Sequence, residues 1–542
     1  MVLPFSRPLR ALEVGCACSL LFFAAVARPQ QLPLAWEQVT LAAGKAYQDH
    51  NFPEAEKLFT QALHEAEAFG PSDYRLAASL NNLGELYRQS GRYAEAQPLF
   101  ERSLQVWEKA RGPQEPSLAP VLTNLGELHR QLGRYASAEP LLKRALEIRQ
   151  AAFPPSDPRI AASLSSLGEL YRSEGRFPDA ETCFKQALDL EQKSPASAGA
   201  ALAQPLANLA ELYRAMNRYH DAELLYKQAI ALQERLLGAE NPDLAISLND
   251  LAELYRNEGK FADAEPLYKR SLAIREKAFP PGDPRVTTAI NNLGLLREAQ
   301  GNFTDAELHF RRVLSLREAA LGANHPELAT PLNNLAELYQ REGRFGDAEK
   351  LYKRTLAIRE AAYGSEHPDV ASSLVNLAQL KQAHKKYADA IDLQQRALAI
   401  REKVFGPEHP IIASSLSNLG ELYFARKDFS QALTFLQRAL AIREKALGPE
   451  HRAVALSLND LADLYSAERR YADAEPLYVR ALAIREKILG KDHPDVANLL
   501  VSYAKLLRET GRPTEAEDLE RRVRQIRANL PTRPPRIGNP YS

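Results

Sequence analysis

The segment LNNLAELYQ, Leu332 to Gln340, places leucine at Leu332, Leu335 and Leu338, a helical spacing. Asn333 and Asn334 stand inside that pattern. Asparagine costs a helix roughly half a kcal/mol relative to alanine, because its amide competes for backbone hydrogen bonds. The second asparagine belongs to a series. Steps of 42 residues in both directions reach Asn82, Asn124, Ser166, Asn208, Asp250, Asn292, Asn334, Asn376, Asn418, Asp460 and Ser502, eleven units without an insertion or deletion. A divergent twelfth unit precedes them, where Phe52, Ala55 and Phe59 match Tyr93, Ala96 and Phe100 one residue out of register. Such strict repetition implies one supersecondary unit stacked on itself rather than several globular domains.

Each unit reads as two helices. In the unit of Asn82, helix A presents Leu83, Leu86 and Tyr87 on one face and ends at Gly91. Helix B presents Ala96, Phe100 and Leu104 and ends where RGPQEP supplies glycine and proline. Alanine recurs at the Ala96 position in all eleven units, from Ala138 through Ala516, so helices A and B can approach closely. The pattern predicts an all-α chain.

Leu83-Gly84, Tyr87, Gly91, Tyr93, Ala96, Phe100 and Ser103-Leu104 resemble the tetratricopeptide signature in type and spacing. The 42-residue period, with stretches such as ALAIREKALGPEHR after helix B, resembles the repeats of kinesin light chains and nephrocystin-type proteins. The resemblance covers about residues 36–529. It implies a right-handed superhelical α-solenoid of about twelve stacked helix-turn-helix repeats. Kinesin light chains place a long heptad segment before their repeats, and fewer than ten residues separate Ala27 from Trp36 here, so a motor subunit is not expected. In the last unit Leu507 and Glu520 replace the tyrosine and aromatic of the other units, and Leu519, Val523, Ile526 and Leu530 line one face of a capping helix. Residues 530–542 are expected to form a disordered proline-rich tail.

The 542-residue chain balances 69 Lys+Arg against 69 Asp+Glu, which gives nucleic-acid binding no electrostatic support. At the N-terminus, two arginines precede Val14–Ala27, fourteen apolar or small residues without a charge. That length fits a signal-peptide core better than a membrane span, and Ala25-Val26-Ala27 suits cleavage after Ala27. The expectation is an exported protein, periplasmic or secreted, with residues 1–27 as leader; the alternative is a membrane anchor formed by an uncleaved N-terminal segment. Cys183 would be the lone cysteine after the leader, at a position where most units have leucine, and is read as buried packing.

Two readings of the asparagines stay open. The resemblance places Asn82, Asn124, Asn208, Asn292, Asn334, Asn376 and Asn418 where that family commonly faces its ligand, on the concave side lined by A helices. There an amide could meet the backbone of an extended peptide with both donor and acceptor. Alternatively, the amides bond to the next helix A and fix repeat register. Flanking the series, Glu85, Glu127, Glu169, Glu211 and Glu253 each precede by three residues an arginine: Arg88, Arg130, Arg172, Arg214 and Arg256. Such pairs can simply salt-bridge along the helix. Beyond Arg256 the position becomes Glu298, Gln340, Gln382, Phe424 and Ser466, so a partner with acidic residues at one end would suit the arginine-bearing half.

His325, His367, His409, His451 and His493 also recur at the period. Helices stack about 8–10 Å apart, too far for one residue per unit to converge on an ion, so these histidines are loop and cap residues. No Gly-rich phosphate loop, HExxH or nucleophile elbow occurs. The reading is a scaffold that binds proteins or peptides, with no catalysis and no cofactor or metal. An exported enzyme with an unrecognised site and a ligand-free spacer are the alternatives.

Overall fold

The computed structural model describes residues 35–48, 51–193, 202–216 and 218–528. Among them are 24 α-helices and no strand. The expected leader 1–27 and tail 530–542 lie outside the described residues. Two compact units divide the chain. Unit 1, Met1–Ser197, holds α1 (Ala35–Gln48) through α8 (Phe177–Lys193). Unit 2, Ala198–Ser542, holds α9 (Ala203–Ala215) through α24 (Pro513–Ala528). Within each unit an odd-numbered A helix pairs with the even-numbered B helix that follows, and successive pairs stack. The divergent first unit is a genuine pair, α1 with α2 (Phe52–Glu67).

Pairing is governed by small side chains. Every alanine of the Ala96 series, Ala138 through Ala516, is fully buried, as is Ala55. Opposite, the A helix carries glycine or alanine, and which one depends on the B-helix residue above it. In α7 (Pro158–Ser173) a methyl on Gly168 would stand 2.6 Å from the Phe184 ring, closer than carbon atoms pack. The same holds for Gly294 beneath Phe310 and Gly420 beneath Leu436. Where the B helix has Tyr226, Tyr268, Tyr352 or Tyr478, the A helix instead has Ala210, Ala252, Ala336 or Ala462.

Clusters that run from one pair to the next join the stack. Ala43, Tyr47, Ala55 and Phe59 pack on Leu83 and Leu86 of α3 (Tyr74–Gln89). Trp36 seals the same junction by donating its indole N–H to Ser79 Oγ at 2.8 Å. Cys183 is buried as its leucine register implied, and burial pushes its thiol up to about 11. At the far end α24 is helix B of the twelfth pair. Val523 and Ile526 pack on Val496, Ala497 and Leu500, and Glu520 forms an ion pair with Arg508 instead of filling the core.

Helix starts follow two chemistries. Asp73, Asp157 and Asp283 accept the backbone N–H two residues on at 2.8–2.9 Å, a carboxylate N-cap. From His325 onward the cap is histidine. Nδ1 of His325, His367, His409, His451 and His493 accepts the corresponding N–H at 3.0–3.3 Å. Acceptance requires an unprotonated Nδ1. Burial accordingly lowers the His325 and His493 pKa values and brings His451 down to about 4. The A-to-B turn needs a left-handed residue, and Gly343 and Gly511 provide it at φ 75°. At the same point of three consecutive units stand Lys385, Lys427 and Arg469, at φ 57°, 63° and 60°.

Two outcomes follow for stability. Replacing Lys427 by glycine removes a side chain from a left-handed position, so urea unfolding should show a gain of about 1 kcal/mol; a loss would contradict the strain assignment. The caps His325, His451 and His493 have folded pKa values below the unfolded value of about 6.5. Their contribution is complete above that pH and is lost as pH falls through the window down to about 4 for His451. His451→Asp should reduce the stability lost between those pH values by about 1–2 kcal/mol, measured by denaturant titration at each pH.

Candidate functional site

Successive A helices touch within each unit, as α5 (Leu118–Gln131) does with α3 and α7. The asparagine series runs along this contact. Asn124 donates from Nδ2 to Asn81 Oδ1 at 3.0 Å, and both residues are buried. Asn292 bonds to Asn249 and Asn334 to Asn291 in the same way. In each rung the donor is the series asparagine, and the acceptor directly precedes the series position of the unit before. The doubled letters NN at 81–82 and 291–292 and ND at 249–250, which break up the leucine pattern, mark the units that supply such an acceptor. Asn82 is buried and Asn208 accepts from Gln204 at 2.6 Å. Asn376 and Asn418 are half-buried, with no side-chain hydrogen bond among the described residues. The register role left open by the sequence is therefore filled at Asn124, Asn292 and Asn334.

The arginine stripe is paired on its own helices. Arg88 bonds to Glu85 at 2.7 Å, Arg130 to Glu127 at 2.8 Å, Arg172 to Glu169 at 2.5 Å, and Arg214 to Glu211. The first pair is nearly closed to solvent, with side chains 9% and 7% exposed; Arg172 and Glu169 keep 33% and 28%. Glu127 beside Arg130 raises the guanidinium pKa further, and Glu169 of the next A helix adds to it. Arg256 lies beside Tyr268, where its positive charge partly offsets the upward push that burial gives the hydroxyl. These cations are thus largely neutralised in place, and a partner carboxylate would share them with glutamate. The core tyrosines also reach this face. Tyr226 donates to Glu211 at 3.3 Å and Tyr478 to Asp463 at 2.5 Å.

A second arginine series escaped the sequence reading. Arg149, Arg275, Arg317, Arg359, Arg401, Arg443 and Arg485 recur in register on the B helices. Their guanidinium groups enter the first turn of the following A helix. Arg275 reaches Arg285 O at 2.8 Å, Arg359 reaches Asp369 O and Ser373 Oγ at 3.0 and 2.9 Å, and Arg401 reaches Ser415 Oγ at 2.7 Å. Burial lowers Arg149 and Arg401 to about 10, as expected for guanidinium groups held by neutral oxygens. The recurring letters IRE were the available signal; an arginine in an amphipathic helix reads as solvated until its neighbour is in place. Stacking is further clamped by B-helix glutamates. Glu307 accepts from Tyr339 at 2.7 Å and from Arg344 at 3.1 Å, and Arg344 lies 3.7 Å over the Tyr339 ring.

Among the described residues, no group of three His, Cys, Asp or Glu is arranged to hold a metal ion, and no helix is long and apolar enough to cross a membrane.

Comparison with known proteins gives nine matches to the family model described as tetratricopeptide repeat, from 38–103 to 453–529. No curated protein matches the chain. Among solved structures, it is similar to nearly identical TPR-like repeats from Podosopora anserina that carry a kinesin light chain designation. Identity is 30%, with 38% of this chain and 98% of that chain covered and a TM-score of 0.34. It is also similar to BtubC (BKLC) from P. vanneervenii, at 24% identity over 44% of this chain and 93% of that one, with a TM-score of 0.36.

The asparagines should separate on mutation. Asn334→Ala strands the Asn291 oxygen and should cost about 1 kcal/mol, the worth of a hydrogen bond with a buried partner. Asn418→Ala breaks no such bond and should leave the unfolding midpoint unchanged or raised, alanine being the better helix former. Equal losses at both positions would contradict the division into register and open rungs.

Proposed function

The chain belongs to the tetratricopeptide-repeat family, and from that membership we propose that it is an exported interaction scaffold without catalysis of its own. Its A-helix face holds extended segments of partner proteins. The observation that supports this most is the unequal use of one repeated side chain. Asn124, Asn292 and Asn334 are consumed between helices, while Asn376 and Asn418 keep donor and acceptor unused among the described residues. A helix gains nothing from asparagine at an unused position. A peptide backbone, with one N–H and one C=O per residue, is the matching ligand.

The arginine-bearing helices give the same face a second character. Within unit 2, the Arg214–Glu211 pair remains partly open, at 18% and 31% exposed, and an acidic stretch of the partner would compete there with Glu211. Such a contact adds more to encounter rate and specificity than to affinity.

Capture from the exported fraction with the full chain, followed by the same capture with Asn376→Ala plus Asn418→Ala, tests the reading. Partners retained by the parent should be lost or weakened about tenfold by the double variant, since two hydrogen bonds are worth about 1–3 kcal/mol. Its melting temperature should not fall. Reversing Arg214 to glutamate should weaken the same partners, most at low salt. Unchanged capture by both variants would remove the A-helix face from the function.

A further inference from the structure

In unit 2 the repeat pattern fails at adjacent places that share one chemistry. The first failure is a missing rung. Asn333 stands where Asn249 and Asn291 accept from the next A helix, yet its Oδ1 is buried without a partner among the described residues. Asn376, the residue that would donate to it, makes no side-chain hydrogen bond there either. The second lies at the B-helix core position, where Tyr226 and Tyr478 send hydroxyls to Glu211 and Asp463. In α18 (Tyr387–Phe405) that position is Gln394, 2% exposed, with Oε1 buried and unpartnered among the described residues. The A-helix residue it would meet in this register is Gln379, and Gln382 replaces the arginine. A buried amide oxygen left without a donor costs about 1–3 kcal/mol.

The third failure follows in the next two units. Glu421 and Asp463 keep the acidic position of the series, but Phe424 and Ser466 stand where arginine neutralises it elsewhere. Asp460 adds a carboxylate at the asparagine position. Asp463 is held by Tyr478 and Asn459, whereas Glu421 and Asp460 have no hydrogen bond or ion pair among the described residues. Arg443, a cation that acts on both carboxylates, gives its hydrogen bonds to Ser417 and Ser457. Burial holds the Glu421 carboxyl above its usual range and brings Asp460 to about 7, so both gain from an added positive charge.

We propose that the A-helix face of α17 (Pro368–Ala383), α19 (Pro410–Ala425) and α21 (Arg452–Ala467) docks an extended segment bearing lysine or arginine. Its backbone N–H groups meet the amide oxygens of Asn333, Asn376, Gln379 and Gln394, and its cation sits between Glu421 and Asp460. The inference rests on the scaffold reading and adds the charge of the segment. It assigns the two orphaned acceptors the donors they lack and the two carboxylates their counter-ion. Phe424, 37% exposed at the edge of this face, offers a surface for the aliphatic stem of a lysine.

The test uses the full chain and two labelled twelve-residue peptides, one alternating lysine with threonine and one alternating glutamate with threonine, read by fluorescence anisotropy. The lysine peptide should bind, and Glu421→Gln with Asp460→Asn should weaken it about tenfold or more, the worth of one charge-assisted hydrogen bond. Glu408→Gln with Glu450→Gln removes the same charge from exposed loop positions and should change binding less than twofold. Gln394→Tyr places above Ala378 the tyrosine that Tyr226, Tyr268, Tyr352 and Tyr478 set over alanine in other units; it should weaken the lysine peptide severalfold while the melting temperature holds or rises, which separates lost binding from lost folding. Neither the Glu421/Asp460 nor the Gln394 variant should alter binding of the glutamate peptide. Lysine binding that ignores both variants, or falls equally in the loop control, overturns the inference. If the lysine peptide fails to bind while the glutamate peptide or a captured partner binds, this inference falls alone. If nothing binds, the scaffold reading falls with it.

Discussion

The fold depends on how closely two helices can lie. At the Ala96 position a methyl group is the whole side chain, and all eleven repetitions are fully buried. The glycine or alanine opposite completes the contact, and the choice follows the ring above. A phenylalanine or leucine lies flat enough that a methyl at Gly168 or Gly420 would collide with it. A tyrosine stands over alanine, and at Tyr226 and Tyr478 the hydroxyl reaches a carboxylate on the A helix. One contact thus sets the distance between helices and decides whether the core side chain reports to the exposed face.

Stacking of pairs is a separate problem, solved largely with polar atoms. Apolar faces repeated every 42 residues would tolerate errors of register, since leucine packs on leucine in many arrangements. Buried arginines of the Arg401 series do not tolerate them, because a misplaced guanidinium would lose its serine and carbonyl acceptors in a low-dielectric interior. Asparagine rungs and the Glu307–Tyr339–Arg344 clamps add further directional contacts. This accounts for a quarter of the chain being charged while the core of each unit stays closed.

Where binding is concerned, the repeats differ by their departures. In the first units the A-helix face is a run of Glu–Arg pairs, internally neutral. Toward the C-terminus arginine disappears before the carboxylates do, and the intervening unit carries amides. A regular repeat supplies a uniform surface. Substitutions at the asparagine, glutamate and arginine positions give it a direction without disturbing the packing, because neither the alanine contact nor the leucine face uses them; Gln394 is the exception, set in the core itself.

The period of 42, the helical pair, the buried alanines, the capping histidines and the lone buried cysteine were legible in the sequence, since each is a matter of spacing along a single helix or of a single residue type. The divergent first pair was legible for the same reason. Partnership was not. Asn334 and Asn376 are the same letter in the same register, and only the placement of neighbouring helices shows one bonded to Asn291 and the other unused. The arginines at position 401 and its equivalents look like solvated charges in the sequence and are buried or half-buried in the structure, because burial depends on the helix that arrives next. Sequence by itself determined which atoms are offered on each face. The tertiary structure decided which of them are already taken, since a hydrogen bond between residues 43 apart is a fact about distance in space and not about order along the chain.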